Sequence, residues 1–75
     1  MKRYRNLSGN SGISAFDTGA DYIKVQFDDG SIYLYDYTIS GIDTVEKMKM
    51  LARSGFGLCT YINTHVRDRY AAKLR

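Results

Sequence analysis

Few residues in this chain could do chemistry, and most are rings or cations. Three tyrosines fall within Ser31-Ile-Tyr-Leu-Tyr-Asp-Tyr37. Facing water, they would form a platform on which nucleobases stack; facing inward, they would fill a core. The cations come in three groups. Lys2, Arg3 and Arg5 open the chain, Lys47, Lys49 and Arg53 follow in its middle, and Arg67, Arg69, Lys73 and Arg75 close it. Clustered lysines and arginines are the electrostatic footprint of a phosphate-binding surface.

Charge is distributed unevenly around a formal net charge of +3. Residues 6–39 hold Lys24 against Asp17, Asp21, Asp28, Asp29 and Asp36, whereas residues 40–75 hold seven cations against Asp43, Glu46 and Asp68. An acidic half therefore precedes a basic half. The expected phosphate-contacting set is Arg3, Arg5, Lys47, Lys49, Arg53, Arg67, Arg69 and Lys73. Any single one of these is equally well a solvated surface charge, so the reading depends on their assembly.

The remaining candidates carry less. Ser54-Gly-Phe-Gly57 precedes a helix whose free N–H groups could hold a phosphate, but a lone GxG reads first as an interhelical turn. Phe56 within it could stack on a base or cap the core. His65 has no second histidine, paired cysteine or carboxylate at ligand spacing, which is the pattern of a packing residue. Cys59 is single, so no internal disulfide forms, and it has no evident activating base. Asp28 and Asp29 lack the further oxygen ligands of a calcium loop. No catalytic constellation, metal or cofactor is expected.

The elements that must position these residues follow from periodicity. Residues 1–12 read as a basic arm and a turn-rich lead-in, and residues 13–75 as one domain. At 75 residues, folding buries only about 60% of the surface the unfolded chain exposes. Ile13–Asp17 is a short strand. Tyr22–Phe27 alternates strictly, and Asp28-Asp29-Gly30 turns it back into Ser31–Tyr37 as an antiparallel hairpin. The period then becomes helical. Ser40 to Asp43 has the form of a capping box, Ile42, Val45, Met48, Leu51 and Ala52 share a face, and Gly55 supplies a left-handed stop. Leu58, Ile62, Val66, Tyr70 and Leu74 repeat every four residues down a second helix. The expected architecture is α+β, a three-stranded antiparallel meander followed by two helices packed on one face, β-β-β-α-α.

Hairpin register decides the tyrosines. A two-residue Asp29-Gly30 turn places Phe27 opposite Ile32 and Val25 opposite Leu34, leaving Tyr33 and Tyr35 on the open face. A three-residue loop with Gly30 left-handed in a bulge places Val25 opposite Tyr33 and Ile23 opposite Tyr35, turning the rings inward. Either turn is good chemistry. The acidic surroundings of the strands favour the inward register, which leaves Tyr22, Ile32 and Leu34 as an outer apolar patch suited to a protein partner or a second copy.

The order Ile23-x-Val25-x-Phe27, Gly30, Tyr33-x-Tyr35, Ala52-x-Ser54-Gly55, Gly57-Leu58, Tyr61-Ile-Asn63 and Val66-Arg67-x-x-Tyr70 resembles the KTSC domain, named for the C-terminal extension of some lysyl-tRNA synthetases. The resemblance runs from Leu7 to Tyr70, with Cys59 and Thr60 where a polar residue such as Asn is expected. It implies RNA binding, from the synthetase context, and brings no catalytic residues.

The expected function is thus a non-catalytic nucleic-acid-binding domain, for RNA in the first place, acting through a basic helical face. The alternative is a protein-interaction or self-associating domain using the open sheet face or its edge. The basic start runs into polar residues instead of an apolar segment, and no apolar run is long enough for a bilayer, so the expectation is a cytoplasmic protein with no membrane partner.

Overall fold

The computed structural model describes residues 1–7, 9, 12–66 and 68–75. Five strands form one antiparallel sheet in the order of the chain: β1 Lys2–Arg3, β2 Ile13–Thr18, β3 Tyr22–Phe27, β4 Ile32–Asp36 and β5 Ala72–Lys73. Three helices lie between β4 and β5: α1 Tyr37–Ser40, α2 Ile42–Ser54 and α3 Leu58–Tyr61, the last continuing as a π turn over Ile62–Val66. The expected meander is present as β2, β3 and β4. The two flanking strands are additions to it.

The hairpin adopts the three-residue loop. Phe27 donates its N–H to Ser31 at 2.9 Å, Gly30 donates to Phe27 at 2.9 Å, and Gly30 sits at φ 91°. Val25 then opposes Tyr33 and Ile23 opposes Tyr35. The tyrosines accordingly face the helices. Tyr35 is 2% exposed, and Tyr33 packs half-buried against the core. In β2 a register shift between Ile13 and Ala15 lets both Ile13 and Phe16, an odd number of residues apart, point inward.

These side chains meet Val45, Met48 and Ala52 from α2, Leu58 from α3, and Ile62 and Val66 from the π turn. The α2 face is the one its periodicity predicts, and Gly55 ends it at φ 77° with its N–H on Leu51 O at 3.0 Å. Its beginning differs. Asp36 caps the short α1 by accepting from Ile39 N at 2.9 Å, while Ser40 is buried and donates to Arg69 O at 2.5 Å instead of capping α2.

The second helix is much shorter than the stripe from Leu58 to Leu74 suggests. Only Leu58, Ile62 and Val66 are buried along it. The chain then doubles back, and Ala71 and Leu74 donate to Leu34 O and Ile32 O, both at 2.7 Å. The free edge of β4 outcompetes further helix, because its carbonyls and amides need partners.

The N-terminal residues do not form a loose arm. Lys2 pairs with Phe16 and Arg3 with Ala15, Tyr4 N donates to Ser14 O at 3.0 Å, and Tyr4 is 2% exposed within the core. The domain therefore extends to the first residues of the chain.

Candidate nucleic-acid interface

The docking of β1 builds the principal cationic site. Lys2, Arg3 and Arg5 arrive beside the end of α2, where Arg5 donates from Nη2 to Arg53 O at 2.8 Å. That bond satisfies one of the carbonyls a helix leaves open at its C-terminus. The approach depends on Gly55: a Cβ there would lie 2.7 Å from Arg5 Cβ. Lys2, Arg3, Arg5 and Arg53 then surround an open cleft of about 410 Å³ with Phe16 and Ala52 at its base, and no carboxylate lines it. All four cations are exposed. Among the described residues the one salt bridge lies elsewhere, between Lys49 and Glu46 at 2.8 Å. The Arg5 guanidinium has five N–H donors, so one bond to a carbonyl leaves most of them for a ligand.

A second groove lies past Gly55. Phe56 is 59% exposed. With Leu51, Tyr61 and His65 it lines a mostly apolar groove of about 380 Å³ that Lys47 borders. The Tyr61 and His65 rings stack at 4.7 Å with 16° between planes, and His65 Nδ1 pairs with Thr64 Oγ1 at 2.7 Å. Flat aromatic surface next to cations is the arrangement that receives unpaired bases.

No family model, curated protein or solved structure matches this chain. The resemblance to the KTSC domain rests on its motif residues alone.

The other expected contacts disperse. Lys49 is 5% exposed: its Nζ donates to Ala20 O at 3.1 Å, pairs with Glu46 and lies 5.5 Å from the Tyr37 ring centre. It is an internal strut and leaves the phosphate set. Lys73 stands on β5, at the sheet edge opposite β1, with its Nζ 5.7 Å from the Tyr33 ring centre. Arg69 is exposed beyond the π turn. Arg67 lies outside the described residues. A single basic helical face therefore gives way to a cleft at the β1 edge, of which the sequence reading named Arg3, Arg5 and Arg53. Lys2 was missing from that set, since a strand at the second residue leaves no periodic trace.

Three amides in and after the loop Ser54–Gly57 are already engaged within the chain. Phe56 N donates to Ser54 Oγ at 3.3 Å, Gly55 N to Leu51 O, and Leu58 N to Tyr4 Oη at 3.2 Å.

On the outer sheet face Tyr22, Ile32 and Leu34 are each half-buried, with Lys24 Nζ 5.6 Å from the Tyr22 ring centre. The edges of the meander are covered by two-residue strands that carry Lys2, Arg3 and Lys73. Short cationic edges oppose strand addition, which weighs against the edge half of the self-association reading. No helix among the described residues is long and apolar enough to cross a membrane.

Proposed function

We propose that this chain is a non-catalytic domain that binds the phosphate backbone of a nucleic acid, RNA in the first place, at the cleft between β1 and the end of α2. The observation that carries this reading is the convergence of Lys2, Arg3, Arg5 and Arg53 on one cleft that no carboxylate lines. A single strand crossing it would set successive phosphates against these side chains. Phe56 and the Tyr61–His65 stack then take bases on the far side of Gly55, with Lys47 at the end of the track. The KTSC-like pattern, with its link to a synthetase that handles tRNA, points the same way.

Fluorescence anisotropy with short single-stranded and duplex RNA and DNA, across a salt series, tests this. Four phosphate contacts predict that log K for a single strand falls with log salt at a slope of about −3. The Arg5→Gln/Arg53→Gln pair reduces that slope by about 1.4. Absence of binding at low salt, or binding that these substitutions leave untouched, overturns the proposal.

A further inference from the structure

The opposite end of the sheet holds a cleft of different character. Phe27, Tyr33 and Tyr70 supply its walls, with Phe27 to Tyr33 at 5.6 Å and 86°, and Tyr33 to Tyr70 at 4.8 Å and 72°. Tyr35 and Ile62 lie deeper, Asp29 and Asp68 also line it, and its volume is about 350 Å³. That is the lower end of the range for small-molecule sites.

Tyr35 is 2% exposed, yet its hydroxyl makes no hydrogen bond to any other described residue. No fully buried side-chain oxygen or nitrogen among the described residues lacks a partner, so this hydroxyl must open onto the cleft it lines. A buried phenol aimed into a void is a polar group awaiting a partner. Asp29 is fixed at the loop by Ser31, whose N–H and Oγ donate to Oδ1 at 2.9 and 2.6 Å. Those two bonds hold its carboxyl below the usual carboxylate range, with the Lys73 charge adding to the effect.

We propose that this cleft binds a small alkylammonium ion from solution. Its lining selects the charge. Aromatic faces attract cations, the two carboxylates repel anions, and no lysine or arginine among the described residues belongs to the lining, Lys73 standing at its edge beside Tyr33 and Asp29. A neutral apolar ligand would leave the Tyr35 hydroxyl without a partner. A bare metal ion would find only two carboxylates, and no group of three or more metal-ligating His, Cys, Asp or Glu side chains occurs among the described residues. An alkylammonium ion fits both parts: its carbons lie against the rings while its N–H groups donate to Tyr35 Oη and the carboxylates. Tyr33 already holds a cation of this kind on the chain itself, in Lys73. The site shares no residue with the β1 cleft, so it stands or falls independently of nucleic-acid binding.

The experiment is an amide NMR titration of the full chain with n-butylammonium chloride, against sodium chloride at equal ionic strength. Saturable shifts confined to the surroundings of Tyr33, Tyr35 and Tyr70 are expected. Tyr35→Phe weakens the interaction about three-fold or more without lowering the melting temperature at neutral pH, since the hydroxyl bonds to no other described residue. Asp68→Asn weakens it about two- to five-fold, and Arg53→Gln leaves it unchanged. Shifts that match sodium chloride, or wild-type affinity in both Tyr35→Phe and Asp68→Asn, overturn the proposal. Binding by a lysine-containing peptide but not by butylammonium also overturns it, in favour of a protein partner.

Discussion

The Tyr4 hydroxyl accepts the Leu58 backbone N–H at 3.2 Å, joining residues 54 apart in the chain. Gly57, the residue before α3, has no side chain with which to cap it, and Tyr4 takes that role from across the core. The same ring anchors β1, and with it three of the four cations of the cleft. Tyr4→Phe keeps the ring and loses the bond, at a cost of about 1 kcal/mol in urea unfolding. Tyr4→Ala costs about 3–5 kcal/mol and, by releasing β1, also weakens nucleic-acid binding. If β1 is dispensable, the alanine variant binds as the wild type does under conditions where both are folded.

Lys49 separates structural from ligand-binding charge. Its ammonium is buried between Ala20 O, Glu46 and the Tyr37 ring. Lys49→Met leaves Ala20 O without its donor and costs about 2 kcal/mol, yet RNA affinity in the folded protein stays within two-fold of wild type by about 0.4 kcal/mol. Arg53→Gln should do the reverse, with an unchanged urea midpoint and a shallower salt dependence. Unfolding and anisotropy on the same two variants decide the assignment.

What was legible in the sequence was whatever repeats locally. The alternation of Tyr22–Phe27 and the spacing of Val45, Met48 and Ala52 report their faces because neighbouring residues share one environment. Both hairpin registers fit the turn chemistry, and the acidic surroundings of the strands favoured the inward one, in which Val25 opposes Tyr33 and Ile23 opposes Tyr35. The C-terminal error has the opposite origin. Tyr70 and Leu74 continue the spacing of Leu58, Ile62 and Val66, while the feature that diverts them is the unpaired edge of β4, some forty residues earlier in the chain. Lys2 and Lys49 fail for a related reason: two strand residues have no period, and a lysine on a polar helix face does not announce that Ala20 O waits above it.

Gly30 tests the register itself. At φ 91° it carries the bulge that sets Val25 against Tyr33, and a Cβ there meets nothing within 4 Å. The cost of Gly30→Ala is therefore backbone strain alone, about 1–2 kcal/mol, with the fold retained. Deleting Asp28 instead forces a two-residue turn and rotates Tyr33 and Tyr35 toward solvent. Far-UV and near-UV circular dichroism should show that deletion losing its aromatic packing while the glycine variant keeps it.

Alkaline pH reads the buried phenol directly. Burial pushes the Tyr35 hydroxyl up to about 12 from an ordinary 10.0, with Tyr33, Tyr70 and Cys59 adding to it. The neutral form is therefore the one the folded state accommodates. Below about pH 10 both states hold the proton and stability is flat; between about pH 10 and pH 12 the unfolded chain releases it and the folded chain does not, so stability falls by about 2–3 kcal/mol. The bond from Tyr37 Oη to Glu46 raises Tyr37 in the same direction, so Tyr37→Phe is the background in which to look. In that background Tyr35→Phe should flatten the decline in urea midpoint while leaving the neutral-pH value in place. A decline of equal steepness with and without the Tyr35 hydroxyl would mean that this phenol ionises in the folded protein as readily as in the unfolded chain, and would overturn the assignment.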